Sequence, residues 1–340
     1  MKIGMRHRAT GNSKKTRIFG LTLGAVFFAL CVPAYAQQPA KISWIGYLAS
    51  SGSGPAPAFI EGLHDLGYVE GKNIAFVFRT AEGKPERYGD LASELVHLKV
   101  DVIVADFTIA VLAAKNATST IPIVIINNVD PVGIGLVASL ARPGGNITGL
   151  TNISAELGGK FLELLKEIAP KLTRVAILLT QPVYSTRVND IFIKESESPA
   201  RALGVQLIPV VIRGPDDFEG AFRAMTKERA NGLVNRLPLS VYSPHFKRLA
   251  ELAIKSRLPS IQGQATWADA GGLMSYGQDP NVSYRRAATY VDKILKGTKP
   301  ADLPIEAPLK FELTINLKTA KELGLTIPQS VLYRADKVIK

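Results

Sequence analysis

The sequence predicts an α/β protein made of two doubly wound parallel-sheet lobes. Three observations lead there. Short apolar runs recur without the in–out alternation of a half-exposed strand, amphipathic helical patterns separate them, and the series restarts after residue 150. Strands of that kind are buried on both faces, which calls for parallel strands covered by helices above and below. About 300 residues also exceed what one core usually covers.

The first series opens with a strand over Ile42–Leu48, where Trp44 and Tyr47 are expected in the core. A Ser/Gly loop at Ser50–Gly54 leads into a helix near Pro57–Leu66, and Gly67, Gly71 and Asn73 turn the chain into a strand at Ile74–Phe78. Pro85 starts a helix reaching Lys99, with Leu91, Leu95, Val96 and Leu98 on one side. The apolar runs Val100–Ala105 and Ile121–Ile126 flank a helical pattern over Ile109–Thr118. Pro143, Gly144, Gly145 and Asn146 break the chain before a short strand at Ile147–Leu150.

The second series begins with a helix over Ala155–Ala169 and a strand at Val175–Leu179. Helices over Asn189–Leu203, Pro215–Arg229 and Pro244–Ser256 alternate with strands at Gln206–Val211, Gly232–Val234, Ser260–Gln262 and Gly272–Ser275. A helix over Val282–Leu295 precedes Pro-rich crossing sequence and an amphipathic tail at Leu317–Leu323. Two successive series of this kind make two wound domains whose repetition is architectural rather than sequence-level.

Residues 1–36 read as a leader. Lys2, Arg6, Arg8, Lys14, Lys15 and Arg17 precede the apolar stretch Ile18–Val32, and Pro33–Ala36 ends in a small-x-small pattern. That is the grammar of a secretory signal peptide cut after Ala36. The apolar run of about 15 residues is shorter than the roughly 20 a helix needs to cross a bilayer core, so a permanent anchor is the weaker reading. The protein is accordingly expected in the periplasm.

The whole chain carries 41 basic and 29 acidic residues, a formal net charge of +12; six of the basic residues and none of the acidic ones lie in the leader, so the mature charge is +6. With no basic run, nucleic-acid binding has little support. The single cysteine, Cys31, falls inside the leader, behind Leu30 rather than the small residue a lipoprotein signal wants. A mature chain without a thiol has no disulfide framework, thiol nucleophile or Cys metal site.

Ligands of open parallel sheets bind beyond the carboxyl ends of the strands. The residues there are Ser50, Ser51, Ser53, Asp106, Phe107, Thr108, Asn127, Asn128 and Asp130 in the first lobe, and Gln181, Tyr184, Ser185, Asn235, Arg236, Gln262, Gln264 and Tyr276 in the second. Hydroxyls, amides and aromatics dominate, as in sites that orient a small polar ligand and cover its apolar part. Ser50, Ser51 and Thr108 precede helix N-termini, which favour a carboxylate. Asp106 and Asp130 are the matching acceptors for an ammonium. Ser, Thr and Asp before helices also serve as plain N-caps, and that reading stands beside the first. The expected ligand-binding set is Ser50, Ser51 and Thr108 for a carboxylate, Asp130 for an ammonium, and Phe107, Tyr184 and Tyr276 around the remainder, with Asn127, Gln181, Asn235 and Gln262 completing it.

Signals of chemistry are weak. Gly133–Ala138 matches the loose form G-x-G-x-x-A, but it lies in a late βα unit and position 153 is Ile rather than an acid, so helix–sheet packing is the simpler account. No Walker loop, nucleophile elbow or zincin motif occurs. His64, His97 and His245 are scattered through helical patterns, and Asp216 and Asp217 suit a helix start. No catalytic residue, metal site or cofactor is expected.

Several stretches together resemble one family: Gly46–Ser50, Phe59–Ile74, Ala92–Ala105, Ala113–Val124, "D-P-V-G-I-G-L-V-A-S-L-A-R-P-G-G-N-I-T-G-L" (130–150), "A-G-G-L-M-S-Y-G" (270–277), "R-R-A-A-T-Y-V-D-K-I-L-K-G-T-K-P-A-D-L-P" (285–304) and "K-F-E-L-T-I-N-L-K-T-A-K-E-L-G-L-T-I-P" (310–328). They are similar to ABC-transporter substrate-binding proteins of the tryptophan/tyrosine type, over essentially residues 41–340. The resemblance implies a type I periplasmic-binding-protein fold with a hinge and an interlobe cleft. It also implies three crossings between lobes, with lobe one near 41–150 plus 277–308 and lobe two near 151–276 plus 309–340. It implies a monomer that closes on a small molecule, an amino acid or aromatic carboxylate, and delivers it to a permease in the inner membrane. Gln181–Tyr184 and Asn235–Leu237 depart from the commoner forms of the family, so the resemblance does not carry ligand specificity. A secreted sensing module that reports occupancy to a membrane receptor would use the same fold, and an enzyme on a Rossmann-like fold is the third class.

Overall fold

Eight elements build the first sheet and its covering helices: β1 (Ser43–Ala49), α1 (Pro57–Asp65), β2 (Ile74–Thr80), α2 (Tyr88–His97), β3 (Val102–Asp106), α3 (Phe107–Ala117), β4 (Ile123–Val129) and β5 (Ile147–Asn152). The five strands run parallel in the order β2-β1-β3-β4-β5. The computed structural model describes residues 42–49, 52–152, 157–181, 186–308 and 310–340. The expected leader with Cys31, and the expected ligand contacts Ser50, Ser51 and Tyr184, lie outside the described residues.

The unalternated apolar runs have the predicted cause. In β3, Val102 and Val104 join one core with α1, while Ile103 and Ala105 join another with α2 and α3. Successive side chains point to opposite faces, so both faces need apolar residues. β1 is the informative exception. Trp44 is 48% exposed and Tyr47 2% exposed. An odd spacing of three puts them on opposite faces, and Trp44 sits at the strand's open start, so it is not the core residue the sequence suggested.

The second sheet follows with α4 (Gly158–Ile168), β6 (Arg174–Thr180), α5 (Thr186–Ala202), β7 (Gln206–Ile212), α6 (Phe218–Lys227), β8 (Gly232–Asn235), α7 (Leu239–Tyr242), α8 (Phe246–Lys255), β9 (Ser260–Gln262), α9 (Ala265–Asp269) and β10 (Met274–Gly277). The chain then forms α10 (Pro280–Leu295), β11 (Glu312–Asn316), α11 (Leu317–Glu322), α12 (Gln329–Leu332) and β12 (Lys337–Ile339). The order of this sheet is β12-β11-β10-β9-β8-β6-β7, with β11 antiparallel to β10 and the other pairs parallel. β11 and β12 went unread in the sequence because Glu312–Asn316 interleaves polar with apolar residues and Lys337–Ile339 spans only three residues, so neither forms a continuous apolar run. Among the described residues no helix is long and apolar enough to cross a membrane.

The chain changes sheets after β5 and again after β10, where α10 returns to pack on α1. Gly62 makes that approach possible, since a Cβ there would lie 2.9 Å from Ala288 Cβ. A last crossing lies between Glu306, bridged to Leu150, and β11. The fold is that of a two-lobed type I periplasmic binding protein, with two mostly parallel sheets and their helices.

One irregularity shapes the site. The β4–β5 register shifts between Ile125 and Asn128, and Asn127 takes a left-handed φ of 54°. Gly149 faces this bulge at φ +130°, and a Cβ there would sit 2.3 Å from the Ile125 carbonyl oxygen. Gly149→Ala should therefore destabilise the protein by at least about 2 kcal/mol in urea denaturation. Gly144→Ala, at φ +65° with open space around it, should cost only about 1 kcal/mol.

Candidate functional site

The carboxyl ends of β3, β4 and β5 and those of β6, β8, β9 and β10 line one cavity of about 540 Å³. Parallel sheets leave their crevices at such strand ends, and the volume suits a small organic ligand. Its apolar wall includes Phe107, Leu112, Val129, Phe192, Leu237 and Phe311, and its polar groups include Asn127, Arg236, Gln262 and Gln278.

Behind the first-lobe wall stands Asp106, buried at the tip of β3. The Tyr284 hydroxyl of α10 donates to its Oδ2 at 2.5 Å, and Asn127 Nδ2 donates to its Oδ1 at 3.2 Å. Burial pushes its carboxyl up to about 7, against the smaller opposing effects of these bonds and of the Phe107 backbone. The same desolvation, with Asp106 nearby, raises the Tyr47 and Tyr284 phenols, so both stay protonated. The chain of bonds continues inward: Gln278 Nε2 donates to Asn127 Oδ1 at 3.0 Å. Gln278 Oε1 is buried and has no hydrogen-bond partner among the described residues.

The second-lobe wall carries the complementary group. Asn235 Oδ1 accepts from the Leu237 backbone N–H at 3.0 Å. That N–H can only donate, so the orientation of the amide is set and its Nδ2 is left buried without a partner among the described residues. Each such orphan costs about 1–3 kcal/mol, and each calls for an explanation. Beside Asn235, the Arg236 guanidinium lies 3.8 Å over the Phe192 ring and 5.4 Å from the Phe161 centroid. Burial lowers it to about 9, so it remains a cation at neutral pH.

The expected residues divide. Phe107, Thr108, Asn127, Asn235 and Gln262 line the cavity. Thr108 ties α3 to the end of β4, its Oγ1 accepting from the Val129 N–H at 3.2 Å. Asp130, Gln181 and Tyr276 are not among the lining residues. Asp130 Oδ1 turns back to accept from the Gly133 N–H at 2.8 Å, which also accounts for the G-x-G-x-x-A segment as a capped turn. Gln181 extends the β6–β7 edge through its N–H to the Ile212 carbonyl and stays exposed. Tyr276 stacks on Phe311, centroids 5.8 Å apart, and Phe311 takes the lining place. Gln278 was missed because β10 runs two residues past its expected end, which moves the first residue beyond the strand from Tyr276 to Gln278.

A family model described as ABC transporter substrate binding protein matches residues 55–339. The chain belongs to this family. It is a solute-binding, non-enzymatic class whose members are generally extracytoplasmic. The substrate-binding chain is 27% identical over 272 residues to a tyrosine-binding protein of Clostridioides difficile, covering 78% of this chain and 75% of that one. It is similar to the crystal structure of an ABC domain in complex with L-Trp from Streptococcus pneumonia, with TM-score 0.79 and 25% identity over 88% of this chain and 100% of that one. A conserved domain protein from Vibrio cholerae matches with TM-score 0.79 and 28% identity at the same coverages.

The buried carboxylate makes the stability of this substrate-binding protein depend on pH. The folded state holds the Asp106 proton up to about pH 7, whereas an unfolded Asp releases it near 3.8. The folded state thus binds more protons between those values, and stability falls as pH rises through that window. The loss reaches about 4 kcal/mol above neutral pH. Urea midpoints of the wild type should drop between about pH 5.5 and pH 8.5, and Asp106→Asn should flatten that part of the profile.

Proposed function

We propose that this protein is exported through its leader and closes its two lobes on a zwitterionic amino acid with an apolar or aromatic side chain, delivering it to an ABC permease for import. The observation that carries this reading is that two side chains lining this largely apolar cavity each hold a buried, unpartnered amide atom, the two of opposite polarity. Asn235 Nδ2 in the second lobe is a donor, and Gln278 Oε1 at the crossing between lobes is an acceptor. A carboxylate satisfies the first, with the Arg236 cation adding attraction, and an ammonium satisfies the second. Phe107, Phe192 and Phe311 offer the apolar surface for the side chain. Ammonium recognition is assigned to Gln278 in place of Asp130, whose carboxylate is committed to its own turn. The relative named for tyrosine and the similar structure holding L-Trp support the ligand class.

A thermal-shift screen of amino acids and aromatic acids tests it. A true ligand at about 100 Kd adds about 2.7 kcal/mol of stability. L-Tyrosine, L-tryptophan or another apolar amino acid should stabilise the protein; stabilisation by sugars or polyamines alone would sink the assignment. Asn235→Asp keeps the acceptor for the Leu237 N–H and sets a carboxylate against that of the ligand. It should weaken binding by at least about 2 kcal/mol in titration calorimetry. Export is read separately, by N-terminal sequencing of the protein from the periplasmic fraction, which should begin at Gln37.

A further inference from the structure

The three side chains Asp106, Asn127 and Gln278 form a line from the buried tip of β3 to the cavity wall, and each amide in that line has one oxygen and one N–H2 group. An ionised carboxylate accepts only. Asn127 must therefore turn its N–H2 toward Asp106, at 3.2 Å, and its oxygen toward Gln278. Gln278 in turn spends its N–H2 on that oxygen, at 3.0 Å, and is left with an oxygen. We propose that this chain is a polarity relay: Asp106, which does not line the cavity, fixes Gln278 as an acceptor and so selects ligands that bear an ammonium group. The inference rests on the proposed amino-acid reading and deepens it by naming Asp106 and Asn127 as positioning residues behind the contact.

The relay reverses as a unit. In the Asp106→Asn variant the side-chain oxygen keeps the Tyr284 proton, and the amide nitrogen faces Asn127. Two N–H2 groups cannot satisfy each other, so Asn127 turns over, and Gln278 follows and presents N–H2 at its orphaned position. That group repels an ammonium and tolerates a ligand without one. Protonation of Asp106 on the oxygen facing Asn127 has the same effect, because that oxygen then donates. The groups facing the carboxyl are Tyr284 from α10, Tyr47 from β1, Asn127 from β4 and the Phe107 backbone, all of them uncharged. No cation among these groups holds the carboxylate ionised, and its elevated value, about 7, puts the reversal within reach of ordinary buffers.

Calorimetric titration with two probes tests the relay: L-tyrosine and its des-amino analogue hydroxyphenylpropionate. Near pH 8.5 the wild type should prefer L-tyrosine by about tenfold or more, the worth of a hydrogen bond to a charged group. Asp106→Asn should erase that preference, and so should acidifying the wild type to about pH 5.5, where both probes keep their charges. Gly144→Ala, destabilised away from the cavity, should keep the wild-type ratio. An unchanged ratio in folded Asp106→Asn overturns the relay while leaving the amino-acid reading intact. If that variant does not fold, the wild type alone decides: a ratio that stays the same at the two pH values overturns the relay, and one that collapses on acidification supports it. A wild type that binds neither probe removes the proposed ligand class and the relay together.

Discussion

A carboxylate taken out of water with no cation beside it must be met by hydrogen-bond donors, and Asp106 draws its donors from separate parts of the chain. Tyr284 comes from the helix that returns to the first lobe after the second crossing, and Asn127 comes from the bulged end of β4. The demand of this one group couples helix α10, the tip of β3 and the cavity wall. The backbone beside it also departs from ordinary geometry. Phe107 and Asn127 both sit at positive φ, a region that asparagine tolerates and a bulky aromatic residue avoids unless surrounding contacts impose it.

The cavity joins this anchored wall to a differently built one. In the second lobe the decisive groups sit on a single strand end, where a backbone N–H fixes Asn235 and two phenylalanine rings carry the Arg236 cation. Apolar surroundings strengthen each polar contact a ligand makes and make each missing contact costly. A small molecule that satisfies groups in both walls therefore stabilises the arrangement in which they face each other.

The architecture was legible in the sequence because burial on both faces leaves a local trace. Val102–Ala105 and Ile123–Ile126 are apolar without alternation for that reason, and the helices between them show their stripes. The strands β11 and β12 were not legible, since Glu312–Asn316 interleaves polar with apolar residues and Lys337–Ile339 is too short to make an apolar run. Trp44 shows the same limit within a strand: residue type argues for the core, while its position at the strand start argues against it. Strand-end logic put Phe107, Thr108, Asn127, Asn235 and Gln262 on the cavity wall. It did not bring Tyr276, Asp130 or Gln181 to that wall: β10 runs two residues past its expected end, Asp130 turns back on Gly133, and Gln181 continues the strand edge.

By itself the sequence determined the alternation of strands and helices, the division into two wound sheets, the basic and apolar character of the first 36 residues and the polar, histidine-poor character of the strand ends. These follow from patterns that repeat over a few residues and from composition. Only the tertiary structure decided that Tyr284 meets Asp106 across 178 positions and Gln278 meets Asn127 across 151. The direction in which an amide points depends on what the next group can accept or donate. That information does not lie along the chain; it arises where distant segments share a desolvated space.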